Sequence, residues 1–277
     1  MGRLILAAST GLLVLLSACT QESSTNIESA ASSSEATQTL RIAAAANLSD
    51  VLPSIIGSYQ ANNTVSTQDI DVTYASSGKL YAQIQAGAPY DVFLSANQEF
   101  PAKLAKEKEG SHSNEITHPP FTYAQGQLAL YSVTKSLSDF NIESLADVIT
   151  NDANAKITIA NPELAPYGAS AKAYLQSQKI YDKLNAEKRL IQSENIGQAF
   201  QYAHTGSVDY GFVAQSQLIA IKAKSEQFIT LPPESYPAIL QDGIVLNNNP
   251  SALAFTDYLR SPAGQQHLLQ AGYLSIE

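Results

Sequence analysis

Residues 70–96 read IDVTYASSGKLYAQIQAGAPYDVFLSA, and the hydrophobic period changes twice within them. Ile70, Val72 and Tyr74 alternate with polar residues, the pattern of a strand with one buried face. Ser76-Ser77-Gly78 then interrupts with small polar residues. Leu80 and Ile84 follow at helical spacing, and Gly87 closes the turn. Val92-Phe93-Leu94 is a short unbroken apolar run, as in a strand covered on both faces. Strand, helix, strand in that order is the unit from which parallel sheets are built.

The same alternation extends in both directions. Leu40 to Ala46 reads as a small-apolar strand, after which Leu48, Val51, Leu52, Ile55, Ile56 and Tyr59 recur at helical spacing, with Pro53 tolerated in the first turn. Leu128 to Val133 and Ile157 to Ala160 read as strands, the second leading to a helix from Ser170 onward. Asn195 is placed to cap a helix carrying Ile196, Ala199 and Phe200, and Tyr210 to Val213 is again extended. Ile239 and Ile244 to Leu246 read as extended; Pro250 to Arg260 and Pro262 to Gln270 read as two terminal helices opened by proline. The expectation is an α/β fold with mixed, mostly parallel sheets flanked by helices.

The first residues read as an address. Arg3 precedes an unbroken apolar run from Leu4 to Leu16, too short for a permanent span, and residues 1–18 have the layout of a signal peptide. Leu16-Ser17-Ala18-Cys19 resembles a bacterial lipobox, which implies cleavage before Cys19, lipidation of its sulfur, and anchoring on the periplasmic side of a bacterial membrane. Cys19 is the one cysteine, so the remainder can hold neither a disulfide nor a thiolate metal site. Residues 19–38 are mostly Ser, Thr, Ala, Gln and Glu, a composition suited to a tether. The formal charge is −9 and no basic cluster stands out, which argues against nucleic acid as a partner. An anionic ligand would have to be held by local groups against that overall field.

Three strand-to-helix loops carry such groups: Ala44-Ala45-Ala46-Asn47-Leu48, with Asn47 expected as an N-cap; Ala75-Ser76-Ser77-Gly78-Lys79; and Asn161 through Gly168, which includes Pro166-Tyr167-Gly168. A helix N-terminus offers unpaired N–H groups and about half a positive charge, so several aimed at one point form an anion site without any cation. Taken singly, an Asn or Ser before a helix is more often a simple cap. The joint pattern carries the argument.

With these loops, the chain from Leu40 to its C-terminus resembles the periplasmic molybdate-binding proteins of the type II solute-binding fold. The likeness lies at Ala-Ala-Ala-Asn-Leu, at Tyr74 to Leu80, most specifically at Gln83 to Ala96, and further at Asn161-Pro162-Glu163 with Pro166-Tyr167-Gly168, Ser193-Glu194-Asn195-Ile196 and Gly211-Phe212-Val213. The resemblance implies two lobes joined by a hinge, one of residues 39–121 plus 236–277 and the other of 122–235, with crossings near 122–125 and 231–236. It implies molybdate or tungstate as ligand, held by Asn47 and Ser77 from one lobe and by Tyr167 and the backbone N–H of Ile196 from the other. It further implies delivery to the permease of an ABC importer, no catalytic role, no cofactor, no protein atom bonded directly to the metal, and a monomer. Many members carry Ser at the Asn47 position and Tyr at the Ala214 position; a branch with Asn in the first loop and Tyr in the Pro-x-Gly turn lets Tyr167 supply the hydroxyl that Ala214 cannot.

Two other readings stay open at this point. One is a binding protein for another oxyanion, such as sulfate, thiosulfate or phosphate. The other is a penicillin-interacting enzyme, because Ser76-Ser77-Gly78-Lys79 fits Ser-x-x-Lys, although neither Lys-Thr-Gly nor Ser-Asp-Asn accompanies it. His112, His118, His204 and His267 are scattered and read as surface or capping residues rather than a metal set. Among oxyanions, molybdate, tungstate and sulfate are fully ionised near neutral pH and only accept hydrogen bonds, whereas hydrogen phosphate must also donate one. Glu163 is the one acid in the three loops, and its neighbours suggest a cap or turn role.

Overall fold

The described residues form two five-stranded sheets, and each contains one strand that runs against the other four. The computed structural model describes residues 39–62, 69–109, 118–138 and 145–276. The expected signal peptide, Cys19, the tether and His112 lie outside the described residues.

The first sheet has the order β2-β1-β3-β10-β4, formed by Ile70–Ala75, Leu40–Ala45, Val92–Leu94, Ile239–Val245 and Phe121–Gly126. β1 pairs in parallel with β2 and β3, while β10 is antiparallel to both β3 and β4. The second sheet has the order β7-β6-β8-β5-β9, formed by Leu190–Ser193, Ile157–Ala160, Tyr210–Ala214, Leu128–Tyr131 and Phe228–Thr230, with β5 the antiparallel member.

Both faces of each sheet are covered, which is why their strands read as continuous apolar runs. In the first sheet, Leu40, Ile42 and Ala44 point into one cluster with helices α1 (Leu52–Asn62), α9 (Pro250–Arg260) and α10 (Pro262–Gln270). Ala43, Phe93 and Ile244 point the other way, toward α2 (Ser77–Gln85) and α3 (Glu99–Glu109). In the second sheet, Leu130, Ile157, Ile159 and Phe212 pack with α4 (Leu145–Asn151), α5 (Pro166–Ser177) and α6 (Tyr181–Ala186). Ala129, Tyr131 and Val213 pack with α7 (Ile196–His204) and α8 (Gln215–Ala220). Each fully buried large side chain among these contributes roughly 1.5–3 kcal/mol.

Several elements differ from the sequence expectation. Residues 122–125, expected as a crossing, lie inside β4, whose residues pair with β10 from Phe121 to Gly126. The chain passes between the sheets at Gln127, and β5 begins at once. The strand at Leu128 stops at Tyr131 rather than Val133, where Ser132 Oγ accepts from the N–H groups of Thr134 and Lys135 and turns the backbone away. The helix expected from Ser170 starts four residues earlier, at Pro166. Proline's preset φ and missing N–H suit the first helical position, so the turn containing Tyr167 is helical. Asn47 is not an N-cap: it lies within a short 3₁₀ turn, Ala46–Leu48, whose N-cap is Ala45.

Candidate functional site

The four residues singled out from the sequence line one cavity between the lobes, at the carboxyl ends of the strands. Its empty volume is about 190 Å³, mouth included. Each segment contributes its cap and first turn: Ala45, Ala46 and Asn47 from the 3₁₀ turn; Ser76 and Ser77 from α2; Ala165, Pro166 and Tyr167 from α5; Asn195 and Ile196 from α7. Ala75 and Ala96 complete the wall. Among these lining residues there is no acid and no base, so the chemistry on offer is neutral donors with aligned helix dipoles behind them.

Ser77, nearly wholly buried, accepts a hydrogen bond on Oγ from the Ala96 N–H at 2.9 Å. A serine so engaged keeps its one proton for donation. Ser76, adjacent and buried, has an Oγ with no partner among the described residues, and sequence reasoning missed it because it reads as the N-cap of α2. Ile196 is the first residue of α7, so its N–H has no carbonyl four residues back. Asn195 aligns that helix by accepting the Gln198 N–H on Oδ1 at 3.0 Å.

Tyr167, at the second position of α5, lies against the strands of the first lobe. Its hydroxyl accepts from Gln241 Nε2 at 3.2 Å. Burial pushes its pKa well above the usual tyrosine value, with Tyr273 adding to the effect, so it stays a neutral donor. Asn47 behaves differently from expectation. Its Nδ2 protons go to Gln241 Oε1 at 3.0 Å and to the Tyr273 hydroxyl at 2.9 Å, and its buried Oδ1 has no partner among the described residues. The Tyr273 hydroxyl in turn donates to the Asn47 carbonyl at 2.8 Å. The second sequence omission is therefore Gln241, fully buried beneath the cavity. A signal existed: Gln241 and Asp242 interrupt an otherwise apolar strand.

Further contacts tie the lobes together at the rim. The Gly78 N–H donates to the Leu164 carbonyl at 2.8 Å, an approach so close that a Cβ at Gly78 would sit 3.0 Å from Leu164 Cα. Lys79 pairs with Glu194 at 2.5 Å, both half-exposed. Lys79 Nζ is held by Glu194, and among the described residues Ser76 Oγ has no partner, so no hydrogen bond joins the Ser and Lys of the Ser-x-x-Lys pattern. Glu163 is exposed, its N–H donating to Asn161 Oδ1 at 3.0 Å, in a turn. His204 stacks on Phe200 and Tyr131 at the end of α7, and His267 meets Ser54 on the surface.

A family model described as bacterial extracellular solute-binding protein matches residues 40–274. The chain is 32% identical over 238 residues to the molybdate-binding protein ModA of Azotobacter vinelandii, covering 84% of this chain and 89% of that protein. It is 34% identical over 209 residues to the molybdate-binding protein ModA of Rhodobacter capsulatus, covering 74% and 77%. The solved periplasmic molybdate-binding protein of Azotobacter vinelandii superposes with a TM-score of 0.77 at 29% identity, over 86% of this chain and 100% of that one.

Proposed function

The chain belongs to the bacterial extracellular solute-binding proteins, and on that premise we propose that it captures molybdate or tungstate outside the cytoplasm and delivers it to an ABC importer. The observation that carries this reading is the convergence of the first turns of α2, α5, α7 and the 3₁₀ turn on one cavity free of charged side chains. Such a lining satisfies a guest that only accepts hydrogen bonds. Hydrogen phosphate must also donate its proton, and the lining holds no carboxylate to receive it, only neutral oxygens such as Ser76 Oγ and Asn47 Oδ1.

In this reading the Ser77 hydroxyl, the Tyr167 hydroxyl and the Ile196 N–H donate directly to the anion, with Asn47 on the first-lobe side. The two lobes are hinged where the chain passes between the sheets, at Gln127 and again before β10, and they close over the ligand. Closure removes water from the anion and strengthens each charged hydrogen bond. A lipid on Cys19 holds the protein at the membrane through the tether, and the protein works as a monomer. The likeness to the molybdate-binding proteins of Azotobacter vinelandii and Rhodobacter capsulatus favours molybdate over sulfate.

Isothermal titration of the mature domain with molybdate, tungstate, sulfate and phosphate tests the proposal. Sub-micromolar binding of the first two, with weak or no response to the others, is expected. Tight sulfate binding with little response to molybdate would reassign the ligand.

A further inference from the structure

Beneath the cavity lies a polar network that backs the groups assigned to the anion, and Gln241 joins its parts. From β10 its Oε1 accepts from Asn47 Nδ2 and from the Tyr123 hydroxyl, each at 3.0 Å, while its Nε2 donates to the Tyr167 hydroxyl at 3.2 Å. Asn47, Tyr123 and Gln241 belong to the first lobe and Tyr167 to the second, so the carboxamide bridges two of the groups assigned to the anion. Gln241 is wholly buried, and burying a carboxamide is favourable only when both its ends are bonded.

The direction of these bonds decides what the anion meets. Because Gln241 donates into the Tyr167 oxygen, the single phenolic proton stays available to an acceptor in the cavity. Turning the Asn47 and Gln241 carboxamides over together preserves their mutual bond and ends the one from Asn47 Nδ2 to Tyr273: Gln241 Nε2 then donates to Asn47 Oδ1, Tyr167 donates to Gln241, and Asn47 Nδ2 becomes the free donor. That exchange also removes the unpartnered Asn47 Oδ1. In either arrangement Gln241 must donate and accept at once.

Resting on the oxyanion reading, we propose that Gln241 is the positioning residue of the site, setting which proton of Asn47 or Tyr167 faces the anion. The titratable groups around it are Tyr123 from β4, Tyr167 from α5 and Tyr273 from the C-terminal segment, all held protonated by burial. The carboxylate of Asp242, the next residue, accepts instead from Thr122 and Gln98. That of Asp50 acts on Tyr273 from a distance.

Substitution separates positioning from bulk. Gln241→Met keeps the length but cannot donate and accepts only weakly. Gln241→Glu only accepts when ionised, yet regains one donor and one acceptor when protonated. Titration with micromolar molybdate between pH 6.0 and 8.5 should show constant wild-type affinity. Gln241→Met should be weaker by about 10-fold or more throughout. Gln241→Glu should be weakest at pH 8.5 and recover as the pH falls, because burial raises its carboxyl pKa.

Wild-type affinity in a folded Gln241→Met, or a flat profile in Gln241→Glu, overturns the proposal while leaving molybdate binding intact. Failure of the wild type to bind molybdate overturns the functional reading and this inference with it. Should neither variant fold, the side-chain amide signal of Gln241 in ¹⁵N-labelled wild type decides: it moves on adding molybdate, and an unmoved signal overturns the proposal.

Discussion

Gly126 and Gly168 mark how tightly the Tyr167 side chain and its helix are seated. A Cβ at Gly126 would fall 2.2 Å from the Tyr167 hydroxyl oxygen, and one at Gly168 would fall 2.1 Å from the Ala160 carbonyl oxygen. The first clash is with a side chain, the second with backbone. Gly126→Ala should therefore displace the Tyr167 hydroxyl and weaken anion binding, with a modest change in melting temperature. Gly168→Ala should lift α5 from β6 and cost about 2–3 kcal/mol in denaturant unfolding. On the donors themselves, Ser77→Ala and Tyr167→Phe should each weaken molybdate binding by about 1.5–3 kcal/mol, one charged hydrogen bond apiece. Calorimetry showing wild-type affinity in both would place the anion elsewhere.

At the scale of single elements, α7 is the clearest case of local sequence building part of the site. Asn195 has extended backbone and caps the helix through Gln198, leaving the Ile196 N–H directed along the axis. Asn195→Ala should destabilise the fold by about 1 kcal/mol and also loosen the anion, because the dipole and the free N–H move together. A stability loss with unchanged affinity would separate α7 from the site. Some elements read correctly from the sequence. The two terminal helices begin and end as predicted, since Pro250 and Pro262 enter first turns capped by Asn249 and Ser261. Others were hidden. The start of α5 was obscured because Tyr167 and Gly168 suggest a turn, whereas Pro166 at the first helical position and the packing of Gly168 on β6 decide in favour of a helix.

For the whole molecule, the buried tyrosines predict how stability depends on pH. Tyr123 and Tyr167 are raised well above their usual value, and Tyr273 is pushed up to about 12, in each case first by burial. A tyrosine whose folded pKa exceeds its unfolded pKa leaves the folded state holding more protons than the unfolded state once the pH passes 10. Stability from this source is thus fully present below about pH 10 and lost as the pH rises toward the folded pKa. Chemical denaturation from pH 7 to 11.5 should show no tyrosine-linked loss up to about pH 10 and a decline above it. The hinge reading adds a prediction of shape: small-angle scattering should show a smaller radius of gyration on adding molybdate.

The order of strands and helices, and the small polar loops between them, could be read along the chain because periodicity, capping and proline placement act between residues a few positions apart. Nothing local says that Tyr167 meets Gln241, 74 positions away, or that Asn47 turns inward to the same carboxamide across 194 positions rather than capping the helix after it. Those contacts exist because two separately formed sheets place β10 beneath the first turn of α5. A buried amide in that position must take whatever partners the packing supplies, so the direction of its hydrogen bonds is a property of the assembled core.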